Sequence, residues 1–226
     1  MLALVAALSL PLSSAAAAKN DARNPTCPEQ PNWGSTQPMQ FSAEQHDGKK
    51  VLVAQGLIDD ALLPRLTAAL DSNKPVDEIW FRSPGGNARV GNQAGLAIRK
   101  LGIPTRIPSG WACFSACNFL FMGGAIRMVD PGGLFIVHMF THTGDRSAIE
   151  AEVMRGTENT VGLIGEIEQD SALLASEDND FLIRMGVSRK LLTEVMYQTS
   201  AVSGNGATRR CLTQDEVHKY NVANVR

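Results

Sequence analysis

Between residues 51 and 140 the apolar period of the chain switches repeatedly between that of a strand and that of a helix, which restricts the folds open to it more than any other feature. VLVAQG at 51–56 is a strand-like run, and IDDALLPRLTAAL at 58–70 has the spacing of an amphipathic helix with Pro64 in or near its first turn. EIWFRS at 78–83 reads as a strand that stops at Pro84-Gly85-Gly86. ARVGNQAGLAIRKLG then carries Val90, Ala94, Ala97, Ile98 and Leu101 at helical spacing and closes on Gly102. PTRIPSG at 104–110 is a short strand or turn, ACNFLFMGG from 116 a buried helix stopped by Gly123-Gly124, and LFIVHMF at 134–140 a strand. Alternation of this kind predicts an α/β unit with largely parallel strands, right-handed crossovers, and functional groups gathered at the carboxyl ends of the strands.

The flanks read differently. Residues 1–18 are apolar and end in a run of small residues, the pattern of a cleaved export signal, and the expected mature chain excludes them. Residues 19–49, with Pro25, Pro28, Pro31 and Pro38, read as an extended leader lying on the domain, with regular structure beginning near Lys50. One domain is expected over 50–226. From Ser147 to about Ala175 the chain is acidic and long-helical, with Ile149, Val153, Val161, Ile164 and Ile167 as an imperfect stripe, and Glu177–Asp180 is expected to end it in a charged turn. A helix near 188–198, a Gly-Asn-Gly loop at 204–206 and a helix at 213–220 follow. No later segment is long and apolar enough to span a membrane, and a formal net charge of -2 gives no footprint for nucleic acid. Cys27, Cys113, Cys117 and Cys211 form an even set that an exported chain can oxidise, with three pairings open.

Acyl-transfer hydrolysis requires an activated nucleophile, a base in hydrogen-bond reach and backbone donors aimed at the developing oxyanion. Ser115 follows a turn of small and polar residues and precedes an apolar helix, so the N–H of Ala116 is a natural donor beside it. Gly85-Gly86 offers a second backbone approach without a Cβ in the way, and His138 stands near a strand end as a base. Each residue alone has a plain structural reading: Ser115 as a helix cap, Pro84-Gly85-Gly86 as a turn, and His138 as a histidine satisfied by a backbone carbonyl. Cys113-x3-Cys117 and His138-x3-His142 fall within loose zinc-ligand spacing. Histidines four apart on a strand are about 13 Å from one another, so no metal site is expected.

Taken together, FRSPGGNARVGNQAGLAIRKLG followed by SACNFLFMGGAIRMVDPGGLFIVH resembles the proteolytic subunit of Clp protease and its secreted relatives, which share the crotonase-like fold. The resemblance covers roughly residues 50–142 and implies a fold of stacked βαβ units with a protruding helical handle, which falls on 147–185. It implies Ser115 as nucleophile, His138 as base, Gly86 and Ala116 as oxyanion donors, and a Gly123-Gly124 and Arg127 connection into the histidine strand. It also implies a serine-type peptidase that forms homo-oligomers, takes peptide or unfolded polypeptide, and needs no cofactor; the export signal argues against an ATPase partner. The family's late aspartate falls on Val195 or Met196, with Glu194 adjacent in register as the candidate third member and a hydroxyl or carbonyl near Thr199 as the other source of orientation. That departure supports a rival reading as a catalytically inactive assembly or binding module. A hydrolase of thioesters or small esters on the same scaffold is a second rival.

Overall fold

A computed structural model describes residues 19–142, 145–202 and 207–225. The expected export signal and the Gly-Asn-Gly loop lie outside the described residues. Two sheets form the frame. The first contains β1 (Gln40–His46), β2 (Lys49–Gln55), β3 (Glu78–Arg82), β4 (Thr105–Ile107) and β6 (Arg127–Val129), in the order β1-β2-β3-β4-β6, all parallel except the β1–β2 hairpin. The second contains β5 (Ala112–Phe114), β7 (Leu134–Val137) and β8 (Arg210–Cys211), with β5 parallel and β8 antiparallel to β7. Val51 to Ala54 are buried in succession rather than alternately, as befits a strand covered on both faces.

The helices that place the site are α1 (Leu62–Asn73), α2 (Ala88–Leu101), α3 (Cys117–Met122) and α5 (Thr157–Met185), with α4 (Arg146–Met154) and α6 (Gln214–Lys219) outside them. Leu62, Leu66 and Leu70 form the buried stripe of α1 at four-residue spacing. That helix starts later than its apolar period suggests because Ile58 is bridged to the glycine turn: its N–H donates to Gly85 O at 2.9 Å and its carbonyl accepts from Asn87 N at 2.8 Å. Helix α2 is capped by Asn87, whose side chain accepts from Val90 N, and ends on Gly102 in the left-handed conformation. Its Gly91 and Gly95 lie directly on α3. A Cβ at Gly91 would stand 2.8 Å from Ala116 O, and one at Gly95 2.3 Å from Phe119 O.

Four sequence expectations are corrected. Regular structure begins at Gln40, not near Lys50, because β1 pairs along its whole length with β2. The histidine strand stops at Val137, since β8 pairs only with Ile136 and Val137, and His138 leaves the sheet. Helix α5 passes straight through Glu177–Asp180. The charges there are accommodated rather than helix-breaking: Glu177 faces Arg89, Asp180 pairs with Arg184 one turn on, and Phe181, Leu182 and Met185 continue the buried stripe. The helix expected near 188–198 is a single π turn, Leu191–Val195, followed by a 3-10 turn, Met196–Gln198.

Disulfides join Cys27 to Cys211 and Cys113 to Cys117, with Cα separations of 5.1 and 5.4 Å. The first ties the N-terminal segment to β8; the second straddles Ser115. Two disulfides are consistent with an oxidising compartment. Among the described residues, no helix is long and apolar enough to cross a membrane.

Candidate active site

The site begins with the turn after β3. Ser83 is fully buried, and its hydroxyl donates to Gly56 O at 2.6 Å while accepting from Gly85 N at 3.0 Å. Strand β5 is hydrogen-bonded to the same residue on both sides, through Ser83 N to Ala112 O and Phe114 N to Ser83 O. The Pro84-Gly85-Gly86 turn is thereby pressed against the residue that follows β5. Gly85 (φ 90°) and Gly86 (φ 144°) take backbone conformations that side chains disfavour. A Cβ at Gly85 would lie 2.7 Å from Ser115 Cβ and 3.0 Å from Ala116 N, so the two turns are in direct contact.

Ser115 has φ 58°, a left-handed conformation uncommon outside glycine. Strain of this kind persists only where surroundings over-determine it, and it clusters at functional turns. Here the surroundings are identifiable. The Cys113–Cys117 bridge closes the chain around Ser115, Ser115 N donates to Ile136 O at 3.4 Å, and Asn118 Nδ2 donates to the same carbonyl at 2.7 Å. Helix α3 has only six residues, so discrete N–H groups rather than a long helix dipole face the serine. Neither Gly86 N–H nor Ala116 N–H donates to another group among the described residues.

His138 Nε2 lies 2.7 Å from Ser115 Oγ. Its ring packs on Phe114, with centroids 4.8 Å apart, and Phe114 stacks on Trp33 at 5.9 Å. The leader thus buttresses the histidine through two aromatic layers. Burial holds the imidazole below its usual pKa, and a hydrogen bond with the Met139 backbone acts the other way without overcoming it. No carboxylate acts on His138 among the described residues.

No family model matches the chain, and no curated protein matches it. Solved structures do. A ClpP1 point mutant from Listeria monocytogenes superposes with a TM-score of 0.53 at 14% identity, covering 77% of this chain and 88% of that one. An enoyl-CoA hydratase from Shewanella pealeana matches at TM-score 0.46 and 12% identity, over 81% of this chain and 66% of that one. The chain has a ClpP-like fold.

On this ClpP-like core the remaining candidates separate. Arg127 is buried and donates to the carbonyls of Gly124, Val222, Asn221 and Met185 at 2.8 to 3.3 Å, fastening the C-terminal segment beneath the site. Glu194 lies elsewhere: its carboxylate accepts from Tyr220 Oη at 2.9 Å and pairs with Lys219 at 3.1 Å, which holds it below the usual carboxylate range. The π turn explains this, because it changes the angular register on which the sequence placed Glu194. Thr199 Oγ1 donates to Met196 O and is likewise engaged. The four cysteine sulfurs are consumed in disulfides, so the thiolates that a zinc reading requires are absent.

Sequence reasoning missed two residues. Ser115 and His138 open on a cavity between α3, α5 and the π turn, walled by Phe119, Met122, Leu174, Leu182, Leu191 and Met196. Asn118 and Asp178 also line it. Asn118 is the one polar residue in an apolar helix, a signal that was legible. Asp178 carried none, being one of several acidic residues in a charged stretch.

Proposed function

We propose that the chain is an exported serine hydrolase, a peptidase working through an acyl-enzyme on short or already unfolded polypeptides. The observation that carries the reading is the 2.7 Å contact between His138 Nε2 and Ser115 Oγ, set beside two N–H groups with no acceptor among the described residues. Ser115 Oγ attacks the scissile carbonyl while His138 takes its proton, and the negative charge on the carbonyl oxygen falls to the N–H groups of Gly86 and Ala116. His138 returns the proton to the departing amine. Water, deprotonated by the same imidazole, then releases the acid and restores Ser115. No carboxylate acts on His138 among the described residues, which predicts a modest rate, because a carboxylate both orients the imidazole and stabilises the imidazolium. The disulfides support export, and the fold supports a homo-oligomer.

That no carboxylate acts on His138 among the described residues favours the second reading, a noncatalytic assembly module. Labelling with an alkyl fluorophosphonate between pH 6 and 9 separates the two. Stoichiometric labelling of wild type at Ser115, with none in Ser115→Ala, is expected; no Ser115-dependent labelling at any pH in that range would overturn the enzyme reading.

The pH profile is a second check. Only the neutral imidazole accepts the serine proton, and burial lowers the pKa of His138 from its ordinary 6.5. The labelling rate is therefore expected to rise with pH, reach half its maximum below pH 6.5, and stay flat through neutrality. A midpoint above 6.5 would contradict a buried, carboxylate-free histidine as the base.

A further inference from the structure

The cavity beside Ser115 is walled mostly by apolar side chains, and two residues on its wall, Asn118 and Asp178, each carry a buried side-chain oxygen with no hydrogen-bond partner among the described residues. Asn118 is 6% exposed, and its orientation is set because Nδ2 donates to Ile136 O, yet its Oδ1 is buried with no hydrogen-bond partner among the described residues. Asp178 Oδ1 is likewise buried without a partner among the described residues. An unpaired buried acceptor costs on the order of 1–3 kcal/mol, and folded proteins seldom leave such atoms so without a functional reason. Two in one cavity, next to a candidate nucleophile, mark a wall that can accept hydrogen bonds from a ligand's donors.

We propose that this cavity receives the side chain on the acyl side of the scissile bond and selects lysine, its methylenes against the apolar walls and its ammonium donating to Asp178 Oδ1 and Asn118 Oδ1. The assignment rests on the hydrolase reading for its meaning, since it names that site's specificity. The chemistry favours an ammonium over other donors. It presents three N–H groups as a compact charge on an apolar stem, whereas a guanidinium brings five in a planar fork and would bury donors that two acceptors cannot satisfy. A neutral hydroxyl would leave the carboxylate uncompensated. Burial, with the nearby charge of Glu177, pushes Asp178 up to about 7, and a cation placed beside it would favour its charged form.

Binding tests the assignment without catalysis. Calorimetry on Ser115→Ala protein at pH 8 compares acetylated tripeptides ending in lysine or in norleucine, which has a methyl where lysine carries its ammonium-bearing carbon. The lysine peptide is expected to bind at least tenfold more tightly, and adding Asp178→Asn is expected to bring the two within about twofold. Equal or tighter binding of the norleucine peptide, or a preference for lysine that survives Asp178→Asn, would overturn the assignment. Fluorophosphonate labelling of the wild type reports separately on the hydrolase reading, so either can fail alone.

Discussion

A Gly86→Ala variant is expected to lose Ser115 labelling by a factor of at least about 100, the cost of removing one oxyanion donor. The physical cause is local. A Cβ at residue 86 would stand 2.1 Å from Ile58 O and 2.9 Å from Ile58 C, both backbone atoms that cannot rotate away, and the residue has φ 144°. The turn must therefore move, and with it the N–H proposed to meet the oxyanion. Ile58 is bonded to that turn at Gly85 and Asn87, so the displacement is also expected to destabilise the chain by roughly 1–3 kcal/mol. Labelling kinetics together with thermal unfolding check both parts. A folded variant that labels within threefold of wild type would remove Gly86 from the mechanism.

The second large effect is a gain in stability. Asp178 has a folded-state pKa near 7, above the ordinary 3.8 of the unfolded chain, so the native state binds the extra proton between those values. For a carboxyl shifted upward, stability is lost as pH rises from about 4 to about 7, and by pH 8 the loss is on the order of 4 kcal/mol. Asp178→Asn keeps the shape and removes the charge. It is expected to stabilise by roughly 2–4 kcal/mol at pH 8, raising Tm by about 5–15 °C in a chain of this size, and to change little at pH 4. Calorimetric scans at the two pH values decide the matter. A Tm gain that is the same at both, or a loss at pH 8, would show that the carboxyl is not held in a charge-disfavouring site. Stability sacrificed in a cavity beside a candidate nucleophile is the usual sign of a group retained for binding.

The two results bear on one another. If Asp178 is costly to ionise in the empty cavity, a cation that enters recovers part of that cost, and discrimination between lysine and norleucine follows from the same carboxyl. The Gly86 experiment is independent of this, since it touches the backbone on the other side of Ser115.

Sequence periodicity alone determined most of the frame. Alternating strand and helix periods over 51–140 placed β2, β3, α2 and α3, because the faces that bury their side chains must recur at the spacing of the element. The resemblance of the Ser-Pro-Gly-Gly turn and the later serine and histidine located Ser115 and His138, which the structure brings to 2.7 Å. Local pattern could not say where elements stop when the reason lies across the fold. His138 leaves its strand because β8, over 70 residues later, pairs no farther than Val137, and α5 continues through Glu177–Asp180 because Arg89 on another helix receives Glu177. Likewise, Glu194 was one residue from the expected acid by register, but a π turn and Tyr220 gave it other work. Asp178 looked like one acidic surface residue among many; only the packing of α5 against the site buried its Oδ1 on the cavity wall beside Ser115, without a partner among the described residues. Spacing along a chain carries information about faces, whereas desolvation and partner choice belong to the assembled structure, and so the tertiary structure decided what surrounds Ser115, while the sequence offered it as a candidate.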